Sequence, residues 1–129
     1  MTYVRPTLWL VAALMIVPTR GLAHHSISAF ADPSKIVTMS GKLSRVEWVN
    51  PHIIVYVDVD SAGQGTTWKL QGAAPAWWRS VGIGKADFAK HLGENVAISA
   101  NVARDGSPYG YFLKLVFANG DLLETTRAN

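Results

Sequence analysis

The stretch from Lys42 to Asp60 constrains the fold most, because it has the pattern of two long strands joined at a sharp corner. Valine, isoleucine, tryptophan and tyrosine dominate it, and branched and aromatic side chains favour a pleated, half-buried strand. The corner lies at Asn50-Pro51, and His52 follows directly. We therefore predict a mainly β domain built around this corner.

Side chains alternate between the two faces of the second of these strands. One face carries only branched aliphatic residues, namely Ile53, Val55, Val57 and Val59. The other face is mixed and carries His52, Ile54, Tyr56, Asp58 and Asp60. The aliphatic face is expected to pack the core, which leaves the mixed face available to a ligand.

The first 23 residues have the layout of a secretory signal peptide: a basic residue, an apolar run and a small-residue cleavage site. Arg5 supplies the charge, the run extends from Leu8 to Val17, and cleavage is expected after Ala23. The run is ten residues long, well short of the about 20 that a spanning helix needs. We expect a mature chain that begins at His24, is periplasmic or secreted, and has no membrane span. The alternative is an uncleaved amphipathic anchor.

Cysteine is absent, so an exported domain of this sequence must be held together by its core without disulfides. The lack of thiols also excludes thiolate metal sites and a cysteine nucleophile. Loss of Arg5 and Arg20 with the signal leaves ten basic and nine acidic residues, so the formal charge falls from +3 to +1. The remaining basic residues are scattered along the chain, and we therefore predict no nucleic-acid partner.

Strand and turn signals divide the mature chain into three parts. These are an N-terminal arm over 24–35, a barrel domain over 36–124 and a tail over 125–129. The arm has no sustained hydrophobic period, and Phe30 is its expected anchor on the domain.

The barrel domain has the element order of an OB-fold, with three strands, a short helix, and then two or three strands. Pro75 suits a first helical position, so the helix is expected to begin there. Gly41 predicts a bend that lets a long first strand serve both sides of a barrel. We predict a small OB-like Greek-key barrel of five to six strands with one short helix; a simple six-stranded roll is the alternative.

Alternation also predicts which residues share a face on the later strands. On the fourth strand these are Val96, Ile98, Ala100 and Val102, and on the fifth Tyr111, Leu113, Leu115 and Phe117. Asn119-Gly120 then predicts a tight hairpin into a short last strand.

Histidine provides the sharpest functional signal. After cleavage, His24 would carry both a free α-amine and an imidazole, and these two nitrogens can chelate one metal ion. A further imidazole from His25 or His52 would complete a planar nitrogen set of the kind Cu(II) prefers. The alternatives are a solvated terminus for His24 and His25, and for His52 a simple hydrogen bond to a backbone carbonyl. His91 lies near an expected helix end, and we predict a structural role for it.

Catalytic patterns are not recognised. The serines lack the Gly-x-Ser-x-Gly context of a hydrolase nucleophile, and no glycine-rich phosphate loop occurs. We therefore predict that the protein is not an enzyme.

Several motifs together resemble a family of small exported bacterial proteins known only as a domain of unknown function. The motifs are His24-His25-Ser26, Phe30, Asp32-Pro33, Trp48-x-Asn50-Pro51-His52 and Arg104-Asp105-Gly106-Ser107. The resemblance covers nearly the whole mature chain and implies an exported, OB-like β-barrel without an established activity.

Two functional hypotheses follow. The first is an exported accessory protein that binds a divalent metal, above all copper as Cu(II), through His24, His25 and His52. The second is a metal-free binding module that uses the face around Trp48, Asn50 and Tyr56 for a small molecule, a peptide or an envelope protein partner.

Overall fold

The computed structural model describes residues 27–125, which form six strands, two short α-helices and a 3-10 turn. The strands are β1 (Ala31–Glu47), β2 (Ile54–Ser61), β3 (Gln64–Gln71), β4 (Asn95–Ala103), β5 (Tyr109–Phe117) and β6 (Leu122–Glu124). The helices are α1 (Pro75–Ser80) and α2 (Lys85–Ala89), and the 3-10 turn is Ile27–Ala29. The predicted signal peptide and the two histidines that follow it, His24 and His25, lie outside the described residues.

Five strands close into a barrel in the order β1-β2-β3-β5-β4, with β4 returning to β1. All of these pairings are antiparallel except the one between β3 and β5, which is parallel and closes the barrel. Strand β6 pairs only with β5, beyond the part of β5 that meets β3. The predicted OB-like barrel of five to six strands is confirmed. One short helix was predicted, whereas two short helices, separated by residues 81–84, lie between β3 and β4.

Strand β1 is seventeen residues long, and its pairing partner changes from β4 to β2 at Lys42. Lys42 pairs with Asn95 of β4 on one side and with Asp58 of β2 on the other. Gly41 lies at this exchange, where a Cβ atom would come 2.5 Å from the carbonyl oxygen of Asp58. The predicted bend at Gly41 is thus a close crossing of two strands that leaves no room for a side chain.

The aliphatic face of β2 packs the core as predicted, with Ile53, Val55 and Val57 completely buried. At one end of the barrel the two helices cover this core. Trp78 of α1 and Phe88 of α2 are also completely buried, and both rings pack against Phe112 of β5.

The predicted face of β5 is wrong in its first half. Phe112 is buried while Tyr111 and Leu113 are half-buried, and only from Leu115 onward does the predicted face point inward. The reason is a bulge: Ser99 pairs with Lys114 but Ala100 pairs with Phe112, so Leu113 is an extra residue in the ladder. One extra residue exchanges the two faces of a strand, because side chains alternate.

Strand β1 starts at Ala31, five residues before the predicted first strand residue at 36, and its first part is irregular. Ala31 pairs with Ala103, and the next paired residue is Ile36, opposite Asn101. Asn101 is buried, and its Nδ2 lies 3.1–3.3 Å from the carbonyl oxygens of Asp32, Pro33 and Lys35. This amide therefore holds the irregular segment against β4. Val102, which alternation predicts on the inner face, is only half-buried, and its neighbours Asn101 and Ala103 are buried instead.

Two short turns of the same geometry flank the pair Ala31 and Ala103. In each, an aspartate Oδ1 accepts hydrogen bonds from the hydroxyl and the backbone N–H of the serine two residues later, Asp32 with Ser34 and Asp105 with Ser107. Both hydrogen bonds lower the pKa of the carboxyl group in each turn, and the bond from the serine hydroxyl lowers it more than the bond from the backbone N–H. The arm also contacts the barrel through Phe30, whose ring centroid lies 5.0 Å from that of Tyr109, so its predicted anchoring role is confirmed.

Replacement of Gly41 by alanine should lower the free energy of unfolding by about 1–3 kcal/mol, because the new methyl group must displace the backbone of β2. Gly65→Ala is the matched control, since its Cβ would meet nothing within 4 Å. Urea unfolding of a chain that begins at residue 24 measures both. Equal stability of the two variants would contradict the proposed crossing.

The turn carboxylates should make stability fall at acid pH. Their pKa values are lowered in the folded chain, so their contribution is complete above the unfolded value of about 3.9 and is lost as pH falls through the folded values. The double variant Asp32→Asn, Asp105→Asn keeps an acceptor oxygen in each turn but cannot titrate there. Its unfolding midpoint should therefore decline less steeply between pH 5 and pH 2 than that of the unchanged chain, as measured by thermal or urea unfolding.

Candidate functional site

The corner before β2 is fixed to the segment that follows β3. It contains a cis peptide bond between Asn50 and Pro51. Beyond it, the N–H of Ile53 donates to the Ala73 carbonyl oxygen at 3.2 Å, and the N–H of Gly72 donates to the Ile53 carbonyl oxygen at 2.9 Å. These two backbone bonds continue the β2–β3 ladder past its last strand residues, so His52 lies on a frame tied to both strands.

The imidazole of His52 is half-buried and bound on one side. Its Nδ1 lies 3.1 Å from the carbonyl oxygen of Gly72. A carbonyl oxygen can only accept, so Nδ1 carries the hydrogen and the neutral ring has its lone pair on Nε2. A ring oriented in this way by a backbone carbonyl is the usual arrangement of a histidine that binds a metal through its other nitrogen.

Gly72 places its carbonyl for this bond by lying directly against the core. A Cβ atom at this position would overlap the ring of Phe112 and come 3.0 Å from Cγ1 of Ile53. The missing side chain thus lets the backbone approach the core closely. Nothing in the sequence marked Gly72 as the partner of His52, because the two are 20 residues apart and meet only through the register of β2 and β3.

The residues of the second hypothesis do not share one face. Trp48 is half-buried and packs onto the core, with its ring centroid 5.7 Å from that of Phe88. Asn50 is exposed at the corner. Tyr56 instead lies on the outer side of β2, in the mixed face that was predicted from alternation.

Tyr56 is engaged by its neighbours on β1. Its hydroxyl donates to Oε1 of Glu47 at 3.1 Å, and the Arg45 guanidinium lies 3.8 Å above its ring centroid. Arg45 and Glu47 also form an ion pair at 3.2 Å. Burial raises the pKa of Tyr56, and the bond to Glu47 raises it further. This cluster satisfies its own charges and its own hydroxyl.

His91 is buried in the interior rather than available at the surface. Its ring stacks on Phe117 at 3.7 Å, and its Nδ1 lies 2.8 Å from Oε2 of Glu94. Its Nε2 is 3.0 Å from Oδ2 of Asp121, a close contact without hydrogen-bond geometry, and Lys90 reaches the same oxygen at 2.9 Å. These contacts fasten the end of α2 to the β5–β6 turn, and they confirm the predicted structural role.

Within residues 27–125, no group of three or more histidine, cysteine, aspartate or glutamate side chains is placed to hold a metal ion. His52 is thus the one member of the predicted metal set that lies among the described residues. Over the same range, no helix has the length and apolar character needed to cross a membrane.

Residues 12–112 match the model of a family described as a family of unknown function, DUF6152. The chain belongs to this family. The match includes the His52 corner, both helices and the barrel as far as Phe112, and it confirms the family type that the sequence motifs resembled. No curated protein and no solved structure matches the chain.

The hydrogen bond to Gly72 predicts the tautomer of His52 in this DUF6152 chain. When the ring is neutral, Nδ1 should be protonated and Nε2 unprotonated, since only that form can donate to a carbonyl. Long-range ¹H–¹⁵N correlation spectra of a chain that begins at residue 24 distinguish the two nitrogens. A spectrum with the proton on Nε2 would contradict the geometry, and a His52→Ala variant assigns the signals.

Proposed function

We propose that the protein is an exported accessory protein that binds a divalent metal ion, most favourably Cu(II), through the first residue of its mature chain. His24 supplies its α-amine and its ring nitrogen, His52 supplies Nε2, and His25 supplies a third or competing imidazole. The observation that carries this proposal is the bond from His52 Nδ1 to Gly72, which orients the ring and leaves Nε2 as the donor atom.

The chemistry of this donor set favours copper over harder ions. All of its donors are nitrogen atoms, and imidazole and amine nitrogens in a planar arrangement suit Cu(II), whereas Mg²⁺ and Ca²⁺ require oxygen ligands. The α-amine has an unperturbed pKa of about 8, so at neutral pH the ion must displace a proton from it. Binding in this mode therefore strengthens as pH rises through neutrality.

The closure of the barrel supports the required reach. Phe30 packs on Tyr109, and Tyr109 pairs with Lys69 of β3, three residues before Gly72. That separation is about 10 Å along a strand. His24 precedes Phe30 by six residues, of which Ile27–Ala29 form a 3-10 turn, so the linking segment covers at most about 16 Å. This length is comparable to the separation, which supports a first mature residue near the His52 corner.

Binding or delivery of the ion is favoured over turnover, because no catalytic constellation accompanies the histidines. The proposed location is the periplasm or the exterior of the cell, since the site exists only when the signal peptide is cleaved before His24. An envelope protein that donates or accepts the ion is the corresponding partner.

Titration of the mature chain with Cu(II), followed by calorimetry and electron paramagnetic resonance, tests the proposal. We expect one-to-one binding with a nitrogen-rich spectrum. An added glycine before His24 removes the chelating amine, and His52→Ala removes the oriented ring. Each change should weaken binding by about tenfold or more, the equivalent of at least about 1.4 kcal/mol.

Asn50→Ala is the matched control for the His52 variant, because it alters the same corner without removing a nitrogen donor of the proposed set. It should leave the affinity and the spectrum unchanged. Weak binding that is insensitive to both the added glycine and His52→Ala would contradict the metal site. Such a result would favour the metal-free module around Trp48, Asn50 and Tyr56, because ligand binding by that module does not depend on which residue begins the chain.

A further inference from the structure

The two ends of the barrel are closed to different degrees. Near the helices, the inward-facing side chains are completely buried, as for Ile53, Leu70 and Phe112. At the opposite end, where the β2–β3 hairpin turns, the inward-facing side chains of Met39, Val59 and Trp68 are only half-buried. Helices α1 and α2 lie at the first of these ends, and we call the opposite end the barrel mouth.

The barrel mouth contains a depression of about 390 Å³. Its walls are the inward-facing Val37 and Met39 of β1 with Val59 and Trp68 of the hairpin strands, and the β4–β5 loop forms one side. Ser61 and Thr66 lie at its rim, at the inward-facing positions of the hairpin ends. The volume falls within the about 300–1,000 Å³ that is typical of small-molecule sites, and barrel mouths are a common place for them.

The lining indicates the chemistry of an occupant. No ionisable side chain lines the depression among the described residues. An ionic ligand would therefore lose its hydration without gaining a charged partner. The indole of Trp68 offers a flat apolar surface to a ring, and a serine and a threonine hydroxyl at the rim can each donate and accept a hydrogen bond.

We propose that the barrel mouth is a binding site for a neutral, ring-containing small molecule that places an apolar ring beside Trp68 and a hydrogen-bonding group between Ser61 and Thr66. This site is separate from the His52 corner. His52 precedes β2, whereas Val59 and Ser61 lie at the far end of that strand, about 20–30 Å away at the rise of a β-strand. Its occupancy is independent of the proposed metal.

Fluorescence titration of the mature chain with N-phenyl-1-naphthylamine, a neutral aromatic probe with one N–H group, tests the proposal. We expect saturable one-to-one binding with loss of tryptophan emission. Thr66→Phe fills the mouth from its rim and should weaken binding by about tenfold or more. Thr66 is exposed, so this variant should keep the fold, which a thermal unfolding curve checks.

Thr67→Phe is the matched control, because it adds the same ring one residue away on the outer face of β3. It should bind the probe like the unchanged chain. Probe binding that is absent, does not saturate, or is weakened equally by both variants would overturn the proposal. So would a dimer, detected by sedimentation, that Thr66→Phe alone dissociates, since a second copy of the chain would then be the occupant of the mouth.

Discussion

The structure depends on a single strand that serves two neighbours. Strand β1 pairs with β4 from Ala31 to Lys42 and with β2 from Lys42 to Glu47, so both pairings meet at Lys42. The approach of Gly41 to the backbone of Asp58 makes this exchange possible. With β1 shared in this way, only the parallel pairing of β3 with β5 is needed to close the barrel. Closure matters for a domain without cysteines, because it satisfies strand edges that would otherwise pair with other chains.

Closure also determines what the two ends can do. The connection between β3 and β4 is long enough to form α1 and α2, and their rings fill the end near the His52 corner. The connections at the far end are shorter, with two residues between β2 and β3 and five between β4 and β5, and they supply little side-chain volume, so Met39 and Trp68 stay half-buried there. One end is therefore rigid enough to hold an oriented imidazole, while the other retains space. The two proposed sites follow from the same difference in loop length.

Much of this architecture could be predicted from local pattern. The alternation in β2 identified Ile53, Val55 and Val57 as core residues. A glycine within a long strand identified Gly41 as the bend, and both signals depend only on neighbours in sequence. The face of β5 could not be predicted, since the extra residue at Leu113 is defined only by its pairing with β4. For the same reason, no local signal showed that Asn101 would hold the carbonyl groups of the irregular start of β1.

The candidate site shows the same limit. Sequence pattern singled out His52, but its partner at Gly72 depends on the register of β2 against β3. Trp48 and Tyr56 were grouped as aromatic residues near the corner, yet Trp48 packs against Phe88 while Tyr56 is held outside by Arg45 and Glu47. The sequence therefore indicated which residues lie near the corner, but it did not indicate which residues each of them contacts.

The hydrogen bond from His52 to Gly72 was the alternative to a ligand role at the level of sequence, but in the structure the two roles are compatible. An imidazole has two nitrogens, and a bond that uses Nδ1 leaves Nε2 for another partner. The bond also removes rotational freedom that the ring would otherwise lose on binding an ion, which reduces the entropic cost of forming the site. In the proposed metal site the corner supplies Nε2 of His52 already in place. The affinity of that proposed site should therefore depend most on the donors that His24 adds.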